Sequence, residues 1–349
     1  MSENTIANPA ISRLTGALAG MHPIVPWLIA CIVLVPVPLL LNNAYTQFVV
    51  NVMAVNIILA VGLNIVKGFA GQVTVGHIAL MAIGAYSSAV VSTMLGLPFW
   101  LALPCAMLIT AVAGAIVGIP SLRLEGAYLA LATLGLAESV RVFISGTEFL
   151  GAAVGFENIP PPYIGNWSLS GHRAYYYVVM PAALLGLYFS FSILSSDIGR
   201  AFKSIREDAL AAAASGVNVP KYKVIAFVIS ALYAGCAGSL MAHMAPGFLH
   251  PNNYTINEMI TLLLMVVFGG IGHIWGGVIG AIVVTIIDDY TRDYYTYRMM
   301  MFGSVIVLVV IFMPRGIGGI IDDFFVRRRF KAIRAKRHEA SQKADANAA

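Results

Sequence analysis

The chain has 349 residues, 59% of them hydrophobic and 11% charged, with a mean hydropathy of +0.83 and a formal net charge of +5. That balance excludes a soluble domain, which at this length carries about 25% charged residues. The excess positive charge lies beside apolar runs, which excludes a nucleic-acid-binding patch and fits the flanks of membrane spans.

Residues 1–23 read as a cytoplasmic segment ahead of the first apolar run at 24–41. That run has no small-residue cleavage site and another run follows at once, so a retained span is expected rather than a cleaved leader. About 20 apolar residues cross a bilayer core as a helix. On that measure the sequence predicts an all-α, polytopic domain of about ten transmembrane helices over 24–314, with spans near 24–41, 45–66, 73–95, 98–119, 126–144, 175–194, 223–244, 255–271, 274–289 and 299–313. Turn residues mark the breaks, among them Asn42-Asn43, Gly68 to Gly71, Gly96 to Pro98, Pro120, Pro246 to Asn253 and Pro314.

Short basic loops stay in the cytoplasm. With both termini placed there, seventeen of the 21 Lys and Arg residues fall inside, including Lys67, Arg123, Lys221, Lys223 and the basic tail 315–349. Anchoring to anionic lipid is the role expected of that tail. The periplasmic loop 145–174 carries Pro160-Pro161-Pro162, Tyr163 and Trp167. It reads either as a cap for an extracytoplasmic partner or as a connector with interfacial aromatics.

The central cytoplasmic loop, 195–222, is charged where the rest of the chain is apolar. Ser204 followed three residues later by Glu207 is a capping-box pattern. Gly216 supplies a left-handed stop and Pro220 blocks continuation. A single short helix is therefore expected over 205–215, offered to a soluble partner. Arg206, Glu207 and Asp208 would set its register by charge, and Ala211 and Ala212 would let it sit close in a groove.

Catalytic and metal motifs are missing from the sequence. There is no GxxxxGK[ST] phosphate loop and no HExxH. His77, His243, His250 and His273 are scattered at span ends, and Cys31, Cys105 and Cys236 fall in apolar runs as small buried hydrophobes. No cofactor and no metal is expected.

Polar residues inside spans are costly and face the protein or a cavity. Gln72, Thr74 and His77 sit in a glycine-broken run, a pattern that lines translocation routes. Thr133, Glu138 and Arg141 share the fifth span, and the last two are spaced for an ion pair, structural or part of the pathway. Asn56 and Asn64, eight apart, lie on one face, for interhelical bonding or pore lining. Gly272, Gly276 and Gly280 fall four apart as a packing ridge; alternatively Gly269-Gly270 and Gly272 break the helix at its cytoplasmic end and shape a gate.

Four ordered segments carry a family resemblance: GLNIVKGFAGQVTVGHIALMAIGAY, LRLEGAYLALATLGLAESVRV, GRAFKSIREDALAAAASGVN and VFGGIGHIWGGVIGA. Together they resemble the permease subunits of bacterial branched-chain amino acid ABC importers. The resemblance implies a multi-pass inner-membrane protein that works with cytoplasmic ATPase subunits, a second homologous permease and a periplasmic substrate-binding protein. ATP is then bound and hydrolysed by the partner chain. It further implies that the 205–215 helix docks on the ATPase, with Gly216 and the two alanines in the family's places, Leu210 where a glutamate is usual, and Glu207 and Asp208 in the Arg-Glu-Asp form. Within this family the substrate varies, so urea, amides or aromatic acids are alternatives to branched-chain amino acids. An ion-coupled secondary transporter is the rival outside it.

Overall fold

The computed structural model describes residues 34–291 apart from Asn166, together with a few positions between 300 and 318. Residues 24–33 of the first predicted span, most of the tenth, and the N-terminal and C-terminal segments lie outside the described residues. Helix dominates the rest. After a single turn, α1 (Val37–Leu40), come α2 (Ala44–Asn64), α3 (His77–Thr93), α4 (Phe99–Gly118), α5 (Gly126–Gly146) and α6 (His172–Ser195). Two short helices follow, α7 (Asp197–Glu207) and α8 (Ala209–Ala214), and then α9 (Val219–Ala242), α10 (Ile256–Gly269) and α11 (Ile274–Thr291).

Six of these are long and apolar enough to cross a membrane, while α3 and α10 are apolar but shorter. All eight coincide with predicted spans, so the chain is a polytopic all-α membrane protein. Backbone groups in lipid have no water to bond, and helices satisfy them internally.

The centre of the bundle is α2 with α9. Some 72% of the apolar window of α2 is buried, against 22% for α5 at the periphery. Small residues set the close crossings, as expected where no hydrophobic force draws helices together. A Cβ placed on Gly84 of α3 would lie 2.5 Å from the Gly235 Cα of α9, and one on Gly238 would run into the Met81 carbonyl. On α4, Gly114 meets Ala231 of α9 in the same way.

Local chemistry explains the helix ends. Asn43 caps α2, its side-chain oxygen accepting from the Tyr45 N–H at 2.9 Å. Asn218 caps α9 by accepting from Lys221 N–H at 3.1 Å, with Pro220 in the first turn where its missing N–H costs nothing. At its C-terminal end α2 widens into a π turn over Ile65–Phe69 and stops before Gly71, φ +71°.

Two sequence expectations are corrected. The 205–215 segment is not one helix, because Asp208 is extended (φ −157°, ψ 111°) and divides α7 from α8. Asp208 is the true cap, accepting from the N–H groups of Leu210 (2.8 Å) and Ala211 (3.0 Å). Ser204 instead back-bonds to the Ala201 carbonyl inside α7. Gly216 has φ +87° and ends α8 as expected. The second correction concerns Gly272, which is not on the helical ridge. It lies in the α10–α11 turn with φ +85°, beside Gly270 at +111°. Gly276 and Gly280 are the ridge, packed against the backbone of Gly269 and Met265.

The 145–174 loop is laid over the α9–α10 connection. Phe156 and Leu249 exchange backbone bonds of 2.8 and 2.9 Å, and Ile159 N–H reaches Gly247 O at 3.1 Å. Beyond them a two-residue antiparallel hairpin pairs Tyr163–Ile164 (β1) with Trp167–Ser168 (β2), leaving Trp167 exposed.

Candidate functional site

The charged segment sits at the end of the bundle where α2 stops and α5 and α9 begin. α7 is amphipathic, and buries Ala201, Phe202 and Ile205 while its charged residues face out. α8 lies alongside it. Ala212 is 4% exposed, turned into the chain, whereas Leu210 is 84% exposed on the opposite side of the same turn. Glu207, Asp208, Ala211 and Gly216 are also exposed.

Arg206 is exposed like its charged neighbours, but it also bonds to the bundle. Its guanidinium donates to the Gly68 carbonyl at the end of α2. The stem of the side chain lies along Gly71, where a Cβ would meet Arg206 Cα and Cγ at 3.2 Å, and the guanidinium covers Gly272. Gly272 in turn donates its N–H to Asn64 Oδ1 (2.9 Å), and Asn64 Nδ2 donates to His273 O (2.7 Å). One node therefore joins α2, α7 and the α10–α11 turn.

Next to it, the break between α2 and α3 gathers several predicted residues. Gln72, Thr74, His77 and Thr133 are all buried. Thr133 Oγ1 accepts from Val75 N–H at 3.0 Å, tying the break to α5. Gln72 donates to Ala70 O at 3.3 Å, and Thr74 Oγ1 accepts from Gly76 N–H at 3.3 Å. His77 Nδ1 pairs with Ser230 of α9 at 3.2 Å. Lys223, 6% exposed at the start of α9, donates to Glu125 at the start of α5, 3.0 Å away.

Glu138 and Arg141 do not join this group. They form the expected ion pair one turn apart on α5, with Arg141 Nε 3.0 Å from each carboxylate oxygen. Both side chains are partly exposed on a helix that shows most of its surface.

The sequence reading missed a cavity of about 320 Å³ at the opposite end, between α2, α3, α10 and α11. Its wall mixes Met81, Leu262 and Met265 with Asn56, Glu258, Thr261 and Asp288. Asn56 also donates to Thr285 of α11 at 3.0 Å, so Asn56 and Asn64 of α2 both bond the α10–α11 hairpin. Glu258 and Asp288 stand at span ends and signal nothing alone; only the antiparallel packing of α10 and α11 unites them. Among the described residues no His, Cys, Asp and Glu side chains cluster as a metal site would require.

Such an assembly of broken helices, buried polar nodes and one outward-facing charged segment defines a polytopic membrane transport subunit. A family model described as the permease component of the branched-chain amino acid transport system matches residues 45–313, and the chain belongs to that family. It is 35% identical over 285 residues to the high-affinity branched-chain amino acid transport permease LivM of Salmonella typhimurium, covering 75% of this chain and 67% of that protein. Against LivM of Escherichia coli the identity is 34% over 296 residues, with 78% and 69% covered. A more distant similarity, 24% over 313 residues, links it to the ribose import permease RbsC of Haemophilus influenzae, with 83% and 92% covered. No solved structure matches the chain.

Proposed function

We propose that this permease is the membrane subunit of an ATP-driven importer in a bacterial inner membrane, carrying branched-chain or chemically related amino acids inward. Its partners are cytoplasmic ATPase subunits, a second homologous permease and a periplasmic substrate-binding protein. The chain itself holds no cofactor, and ATP is bound and hydrolysed on the partner. Ten spans with both termini cytoplasmic complete the topology.

The observation that carries this reading is the capped α8 with Leu210 exposed beside Glu207 and Asp208. Its small-sided surface, Ala209 to Ala214, fits a groove, and ATP-driven closure of the groove-bearing subunits would move it as a rigid body. The half-exposed Glu138–Arg141 pair on α5 supports a path wall shared with the second permease, because charges at membrane depth avoid lipid. That pair is internally neutralised, which disfavours an ion-coupled transporter working alone.

The test is co-purification of a tagged chain from its native membrane with wild-type Leu210 and with Leu210→Arg. An ATPase and a second permease are expected with the wild type, and loss of the ATPase with Leu210→Arg while the second permease stays. A solitary wild-type chain, active in proteoliposomes without ATP, overturns the reading. Ala212→Glu is the weaker probe, because Ala212 is packed inside the chain and its substitution disrupts α8 itself.

A further inference from the structure

The structure assigns to Arg206 a role distinct from ATPase docking. We infer that it is the positioning residue that ties the partner-facing segment to the inner ends of α2 and the α10–α11 turn, so that the three move as one body. This rests on the reading of α7 and α8 as the ATPase-facing segment.

The geometry is specific. Arg206 is the last arginine of α7, one residue before the α7–α8 elbow at Glu207 and Asp208. Though the residue is exposed, its side chain lies across Gly71, Gly68 and Gly272. Any Cβ at Gly272 would strike the guanidinium, and any Cβ at Gly68 would come within 2.5 Å of Gly272 N. The charged donor meets the Gly68 carbonyl at the π-turn end of α2, where helical pairing is irregular and carbonyls are left to other donors.

From there the connection is continuous. Gly68 abuts Gly272; Gly272 and His273 are both held by Asn64 on α2. A displacement of α7 toward or away from the membrane thus acts on α2 and on the α10–α11 hairpin through one side chain. The hairpin is the element whose other end walls the 320 Å³ cavity, through Glu258 and Asp288. Gly71 against the stem and Gly272 against the guanidinium, at φ +71° and +85°, are positions that no larger residue takes cheaply.

The experiment compares wild type, Arg206→Ala and Arg206→Lys in the purified complex in proteoliposomes, reading ATP hydrolysis and substrate uptake in the same vesicles. Arg206→Ala is expected to retain the ATPase and to hydrolyse ATP, with uptake per ATP falling about tenfold. Arg206→Lys, which keeps one cationic donor, is expected to recover part of that ratio. A purely structural or docking role would lower hydrolysis and uptake together and leave the ratio unchanged; that result overturns the inference. If Arg206→Ala does not assemble, the lysine variant decides: a reduced ratio supports the tie and a wild-type ratio overturns it. Absence of any ATPase from the wild-type complex would instead defeat the importer reading, a separate and recognisable failure.

Discussion

Asn64 holds Gly272 and its neighbour with both ends of one amide, accepting from Gly272 N–H at 2.9 Å and donating to His273 O at 2.7 Å. His273 O also accepts from Gly277 N–H at 3.3 Å, but Gly272 N–H has Asn64, and at 1% exposure Asn64 leaves no room for water to replace it. Asn64→Ala orphans the Gly272 donor and is expected to cost about 1–2 kcal/mol. Asn64→Asp keeps the acceptor but buries a carboxylate whose other oxygen faces the His273 carbonyl, so its cost should equal or exceed that of alanine. Thermal unfolding of the detergent-solubilised chain checks the order: wild type, Ala, Asp. Equal stability of all three would show that the turn stands without this amide.

Much of the bundle was legible before the structure, and the reasons are local. Eight apolar runs became helices because length and hydrophobicity decide spans one at a time. Gly216 was readable because only glycine takes φ +87° cheaply; the start of α9 at Asn218 and Pro220, ahead of the span expected from 223, was not read. The other failures are tertiary. Asp208 and Ser204 are both good caps, and the choice between them depends on where Phe202 and Ile205 must bury. Arg206 bonds a backbone carbonyl far away in sequence, which leaves no pattern of residue types to read. Gly272 kept the four-residue spacing of a ridge while belonging to a turn.

The glycines divide into those that permit contact and those that do not matter for packing. Gly238 of α9 faces the Met81 carbonyl of α3, so Gly238→Ala forces the two helices apart and should cost about 1–3 kcal/mol. Gly135 of α5 has nothing within 4 Å of an added Cβ. Gly135→Ala should therefore fold at least as well as wild type, gaining up to about 1 kcal/mol of helix propensity. Parallel unfolding curves of the two variants give the contrast. If Gly135→Ala impairs uptake without loss of stability, its face of α5 is occupied in the assembled transporter.

A pH dependence follows from His243, just beyond the C-terminal end of α9. Its Nδ1 must carry hydrogen, because the Pro160 carbonyl 2.7 Å away can only accept. Nε2 then accepts from the Ser88 hydroxyl at 2.9 Å, which is itself 2.7 Å from Ser239. Phe99 packs edge-on against the ring, 4.9 Å between centroids. Burial pushes the pKa of this imidazole below its ordinary value, partly opposed by the Pro160 bond. The unfolded chain thus takes up the proton first. The contribution of neutral His243 is intact above about pH 6.5, the unfolded value, and is lost as pH falls below it, at no more than about 1.4 kcal/mol per pH unit. His243→Gln can still donate to Pro160 and accept from Ser88 but does not titrate. Between pH 5 and 7 the unfolding temperature of the wild type should drop more steeply than that of the glutamine variant. Identical slopes would place the acid sensitivity on other groups and leave His243 a purely packed residue.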